Sequence, residues 1–322
     1  MRGVQAVRFR FFIVGSVLLS LFVSGCASLP GADKSENEFE PSVQAELLQK
    51  RKEMQDGTWE LESESKPMSI EAKLMKGDGL RRDGEYAPAM WAYLQAHEMD
   101  PTEAGPVERM ASLHLLNDTA QAESMFRDLI EEHPESVAAH TGLGLALMAN
   151  ENWQEAKAVL TRAIEFGPDS PIALGSLGVT LDRMGEFDLA RDAYRTATDL
   201  LPNYYEAWNN LGVSYLSTQE FEDAAATLKR AARVESRDPA VLNNLGLALG
   251  RLGRYDEALD AFLKAGTKQV AQNNLGYVAY LNGDYDLALT AYETALLERG
   301  DDRLQVLRNF VTAQKARDSK AH

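Results

Sequence analysis

The sequence predicts an all-α chain of stacked helical hairpins, and three phased series carry that expectation. Ala122, Ala156, Ala190, Ala224 and Ala258 recur every 34 residues, and the series extends to Ala89 (33 before Ala122) and Ala288 (30 after Ala258). Ahead of the alanines run Leu143-Gly144, Leu177-Gly178, Leu211-Gly212, Leu245-Gly246 and Leu275-Gly276. Behind them come large residues (Tyr93, Phe126, Leu160, Tyr194, Leu228, Phe262, Tyr292) and then small ones (Ala96, Ala163, Ala197, Ala231, Ala265, Ala295). A period near 34 residues is that of a two-helix unit. Such a unit cannot bury its apolar face alone, so its neighbours must stack on it.

Each part of the unit has a physical reason. The Leu-Gly glycine and the phased alanine let the first and second helices approach closely, and the large residues fill the space to the next hairpin. Gly84, Gly185, Gly253 and Gly283 stand where the first helix must turn, a place that suits a left-handed backbone. An aromatic opens the second helix at Tyr86, Trp153, Phe187, Phe221, Tyr255 and Tyr285, and Pro88 falls in a first turn, where a missing N–H is harmless. Pro101, Pro134, Pro168 and Pro202 close units. Seven repeats result. The second (103–136) is irregular, with Met110-Ala111 in place of Leu-Gly. The sixth is four residues short between Ala265-Gly266 and Asn273-Asn274-Leu275-Gly276. Residues 303–317, with Leu304, Leu307, Phe310 and Val311 at helical spacing, read as a capping helix within a segment 303–322.

These residues resemble the tetratricopeptide repeat family over roughly 70–302. The resemblance implies a right-handed superhelix (α-solenoid) of about seven helix-turn-helix repeats, a scaffold with a groove that binds protein partners.

Residues 1–25 stand apart. Arg2, Arg8 and Arg10 precede an apolar run from Phe11 to Val23. Its thirteen residues fall short of the roughly 20 that a spanning helix needs, and suit a signal-peptide core. Val23-Ser24-Gly25-Cys26 resembles the lipobox of bacterial lipoproteins, which implies cleavage before Cys26 and lipidation of it. Cys26 is the only cysteine, so no disulfide framework is available. Ala27 follows it, where the resembling lipoproteins retained in the inner membrane carry aspartate. The expected location is therefore the outer membrane, facing the periplasm. Several acyl chains anchor stably where one does not. Residues 26–69 are polar and repeat-free, which suits a tether reaching on the order of 35 Å, with one short helix conceivable from Val43 to Met54.

Composition narrows the partners. The chain has 33 basic and 49 acidic residues, a net charge of −16. Removing the three leader arginines moves this near −19. That argues against nucleic acid and against electrostatic binding to anionic lipid. Five histidines without close pairing and no second cysteine leave no metal-ligand spacing. Gly142-Leu143-Gly144 lies within a first helix and precedes no strand, and no nucleophile elbow or phosphate loop occurs. The sequence therefore predicts no enzyme, no cofactor and no metal.

Asparagine forms the one notable constellation. Asn209-Asn210, Asn243-Asn244 and Asn273-Asn274 each precede a Leu-Gly pair in repeats five to seven; the earlier repeats have Gly142 and Ser176 at the second place. In the resembling solenoids the first helices line the concave surface, and asparagine at the second place holds a ligand's backbone. An amide both donates and accepts, so a row of them can pair with an extended peptide. The expected peptide-binding residues are Asn210, Asn244, Asn274 and Tyr277, with Tyr280 on the same helix. The lipobox, short tether and shortened sixth repeat together resemble the lipoproteins of tight-adherence (Flp) pilus assembly (TadD). This implies partners among secretin or other pilus-assembly components. A pilotin-type lipoprotein of type IV pili and an adaptor docking periplasmic hydrolases or proteases are the alternatives.

Overall fold

A computed structural model describes residues 68–298 and 302–320. Among these residues every regular element is a helix. The chain divides into two units at Met184/Gly185. The expected signal core, lipobox and tether (1–25 and 26–67) lie outside the described residues.

The first unit holds α1 (Ile70–Arg82), α2 (Tyr86–Met99), α3 (Ala104–His114), α4 (Thr119–Glu132), α5 (Val137–Ala149), α6 (Trp153–Phe166) and α7 (Pro171–Arg183). The second holds α8 (Phe187–Leu200), α9 (Tyr205–Ser217), α10 (Phe221–Val234), α11 (Pro239–Arg251), α12 (Tyr255–Ala265), α13 (Lys268–Leu281), α14 (Tyr285–Leu297) and α15 (Arg303–Lys320). Within each unit consecutive helices pack as hairpins.

The close approach expected at the Leu-Gly pairs is present in both units. A Cβ built on Gly144 falls 2.5 Å from the Leu160 side chain, and one on Gly212 falls 2.5 Å from Leu228. Gly246 stands likewise against Phe262, and Gly276 against Tyr292. Gly77 takes the same part against Tyr93. The facing large residues are fully buried, so no side chain at these glycines fits without displacing the core.

The turns repeat as well. The N–H of Glu85, Asn152, Glu220, Arg254 and Asp284 donates to the carbonyl of Leu80, Leu147, Tyr215, Leu249 and Ala279 at 2.8–3.0 Å. This six-residue closure needs a left-handed residue just before the donor. Gly84, Gly253 and Gly283 supply it with φ between +73° and +81°. Glu151 (φ 59°) and Gln219 (φ 64°) hold the same place in repeats three and five, at a cost of roughly 1–2 kcal/mol each.

The two irregular spacings have distinct origins. In repeat two, α3 has 11 residues against 13 in α1, α5 and α7, while its turn to α4 runs from Leu115 to Asp118. Asp118 N–H there donates back to the His114 carbonyl at 2.7 Å, and no left-handed residue is used. In repeat six, α12 stops after 11 residues where α6, α8 and α10 have 14, and only Gly266 and Thr267 separate it from α13. One helical turn and half a loop are lost, and both hairpins keep their packing.

Candidate functional site

The site begins with burial on the first helices of the second unit. In α9, Ala207, Asn210 and Ser214 are buried; in α11, Val241, Asn244 and Ala248; in α13, Ala271, Asn274 and Val278. Spacings of three and four place each trio on one helix face. Asn210, Asn244 and Asn274 are 7%, 2% and 3% exposed.

The amides of the last two reach toward the preceding first helix. Asn244 Nδ2 donates to Asn209 Oδ1 at 3.0 Å, and Asn274 Nδ2 donates to Asn243 Oδ1 at 3.2 Å. A third bond continues the row, from Asn309 Nδ2 on α15 to Asn273 Oδ1 at 2.9 Å. Gln305 Nε2 donates to Asn309 Oδ1 at 2.9 Å and fixes that last amide. Asn209 Nδ2 lies 3.5 Å from Asn210 Oδ1. The pairs so prominent in the sequence thus divide their labour. Asn244 and Asn274 donate backward, and the first asparagine of each pair accepts through its oxygen.

That division sets the chemistry left over. Once its Oδ1 is held by the next repeat, each first asparagine has its NH₂ turned away from that bond. The Nδ2 atoms of half-buried Asn243 and Asn273 donate to no group among the described residues. Two oriented donors one repeat apart are what an extended backbone's carbonyls require. Tyr277 is half-buried on the α13 helix beside them, and burial pushes its hydroxyl up to about 12. Tyr280 rests against Tyr285, ring centroids 5.8 Å apart. At the start of α9, burial raises the Glu206 carboxyl above its ordinary range, with Asp238 and Glu235 adding to the effect.

Asn309 was not legible as a row member because α15 lacks a Leu-Gly pair. The available signal was the trio Val306, Asn309 and Ala313, which repeats the spacing of Ala271, Asn274 and Val278.

The first unit offers different groups. His140 is buried, its Nδ1 2.9 Å from the Ser136 carbonyl, and it tilts against Phe166 at 5.3 Å. Burial lowers the His114 pKa, with Asp118 opposing. An open depression of 540 Å³ is lined by Ala104, Glu132, His133, Pro134, Glu135 and Ser136. Among the described residues no group of three His, Cys, Asp or Glu side chains is placed to hold a metal ion. No described helix is long and apolar enough to cross a membrane.

Comparison with known proteins places the repeats in a family. Two tetratricopeptide repeat models match, one at residues 113–177 and the other at 176–234, 214–269 and 243–303. No curated protein matches the chain. Among solved structures, the Cut9-Hcn1 hetero-tetramer of the APC/C is similar with a TM-score of 0.55 at 20% identity, over 77% of this chain and 49% of that one. The chain therefore spans about half the length of that relative. A structure of Pseudomonas aeruginosa pilF is similar with a TM-score of 0.52 at 19% identity, over 65% of this chain and 95% of that one. At these identities the likeness is one of fold.

Proposed function

The chain belongs to the tetratricopeptide repeat family, and from that premise we propose that it is a docking scaffold, moored through acylated Cys26 to the outer membrane and facing the periplasm. It holds an extended segment of a partner along its asparagine row and thereby assists assembly of a tight-adherence (Flp) pilus or secretion machine. The observation that carries the binding role is the pair of half-buried Nδ2 donors on Asn243 and Asn273, which donate to no described group and are oriented by the bonds from Asn274 and Asn309. In this reading Asn210, Asn244 and Asn274 act through the row they organise, and Tyr277 supplies contact area. The lipobox Val23-Ser24-Gly25-Cys26 supports the anchor, and the partner class rests on the sequence resemblance.

The test is crosslinking in living cells from a photoreactive residue at Tyr277 of the full-length, lipidated chain. A secretin or pilus-assembly subunit should be recovered. Recovery of a cell-wall hydrolase or protease would favour the adaptor reading instead. Asn210→Ala, Asn244→Ala and Asn274→Ala combined should abolish the crosslink. Asn243→Asp with Asn273→Asp turns two half-exposed donors into acceptors while leaving their row bonds possible, and should abolish it without loss of helicity. Capture that survives the second pair refutes the row as the binding element. Palmitate labelling should vanish in Cys26→Ser; labelling that persists removes the anchor.

A further inference from the structure

Helix α15 keeps the register of a first helix, yet no second helix follows it among the described residues. Aligning Asn309 with Asn274 and Asn244 puts Val311 where Gly276 and Gly246 stand, and Leu307 where Leu242 stands. In the earlier repeats this face is closed by the repeat's own second helix. Gly246 lies against Phe262 of α12, Gly276 lies against Tyr292 of α14, and Leu242 is buried. In α15 the face is open: Leu304, Leu307 and Val311 are 73%, 47% and 40% exposed. Spacings of three and four make them one stripe. Arg308 and Lys315 lie four residues after Leu304 and Val311, so they border it.

The charge here runs against the rest of the chain. Helix α15 carries Arg303, Arg308, Lys315, Arg317 and Lys320 against a single acid, Asp318, whereas the whole chain is at −16. Asp318 is already 3.4 Å from Arg317. Neither Arg308 nor Lys315 has a carboxylate at ion-pair distance among the described residues, so the stripe is edged by uncompensated positive charge.

We propose that this face is an end-on docking site for an acidic amphipathic helix of a partner protein, seated where the second helix of an eighth repeat would lie. Helical shape follows from the register, since the stripe is the one on which α11 receives α12 and α13 receives α14. Acidity follows from Arg308 and Lys315. A second copy of the same face would bring like charges together, and the chain's own Val43 to Met54 segment carries Lys50-Arg51-Lys52 and meets the same repulsion. A lipid surface is a poorer fit, because three aliphatic side chains without an aromatic anchor bury little in a bilayer interface. Val311 in the glycine's place holds the docked helix farther out than a native second helix, which suits a reversible partner.

The test uses the full mature chain and a labelled sixteen-residue helical peptide with leucines at i, i+3 and i+7 flanked by glutamates, read by fluorescence anisotropy. Saturable binding is expected. It should weaken at least tenfold in Leu304→Ser with Leu307→Ser, and equally in Arg308→Glu with Lys315→Glu. A lysine-flanked peptide should bind the second variant and not the parent. All four positions are exposed, so circular dichroism should match the parent, and Asn243→Asp with Asn273→Asp should leave this binding unchanged. Absence of saturable binding, or binding indifferent to Leu304 and Leu307, overturns the proposal. So does leucine-dependent self-association or partition onto phosphatidylglycerol vesicles in place of peptide binding.

Discussion

The two units share a hairpin and differ in how the hairpins are joined. In the first unit Gly144 meets Leu160 and Gly77 meets Tyr93; in the second Gly212 meets Leu228 and Gly246 meets Phe262. Even the edge joints recur. The Arg183 guanidinium lies 5.2 Å from the Trp153 ring centroid in the first unit, and Arg251 lies 4.4 Å from that of Phe221 in the second, thirty residues on in both cases. Between first helices the units diverge. The first unit joins α3 to α1 through the ion pair of Arg109 Nε with Asp78 at 3.2 Å, whereas the second lays Asn244, Asn274 and Asn309 onto the preceding asparagines. The lesson is a separation of duties. The hairpin interior is constrained by volume and stays constant, while the joint between repeats is free to vary and is where a binding row can be installed.

The largest effects should fall on what is common. Gly212→Leu and Gly144→Leu should each cost about 1–3 kcal/mol by overpacking, measured by urea unfolding. A penalty confined to one unit would break the claim of a shared hairpin. Next comes the joint. Asn244→Ala strands the Asn209 oxygen and should cost about 1–3 kcal/mol. An unchanged midpoint would mean that the amide bond contributes no net stability to the second unit.

Smaller and of opposite sign, Gln219→Gly and Glu151→Gly should each gain about 1 kcal/mol by relieving a left-handed backbone. The two gains should match, because the turn belongs to both units. The smallest effects are electrostatic and should separate the units. Burial raises the Glu206 pKa in the folded second unit, so the folded state prefers the neutral acid. Its favourable contribution is complete below the ordinary carboxylate range and is lost as pH climbs through the raised value. Glu206→Gln should therefore raise the melting temperature at pH 7 and leave it nearly unchanged at pH 4. The His114 pKa is lowered by burial in the folded first unit, so its favourable contribution is complete above the ordinary histidine value, near 6.5, and is lost as pH falls below it through the lowered value. His114→Gln should flatten that acid limb.

Much of this was legible in one dimension. The close pairs Gly144–Leu160 and Gly246–Phe262 are sixteen residues apart, and the left-handed turns fell on Gly84, Gly185, Gly253 and Gly283 as expected. The four-residue deficit of repeat six was visible too, although its division between a truncated α12 and a two-residue loop was not. The candidate site was half legible. The paired asparagines marked the place, but adjacent residues on a helix point about 100° apart. Composition alone does not say which of two identical amides turns to the neighbouring repeat and which keeps an NH₂ for a ligand. Asn309 escaped notice because its helix carries no Leu-Gly pair, although its buried spacing matches.

The sequence by itself determined the hairpin, because a 34-residue period with glycine opposite a bulky residue leaves one way to bring two helices together. Tertiary structure alone decided the orientation of the amides and the open face of α15. Both depend on which surface the adjoining repeat covers, and that is a relation between residues some thirty positions apart, invisible to any local pattern.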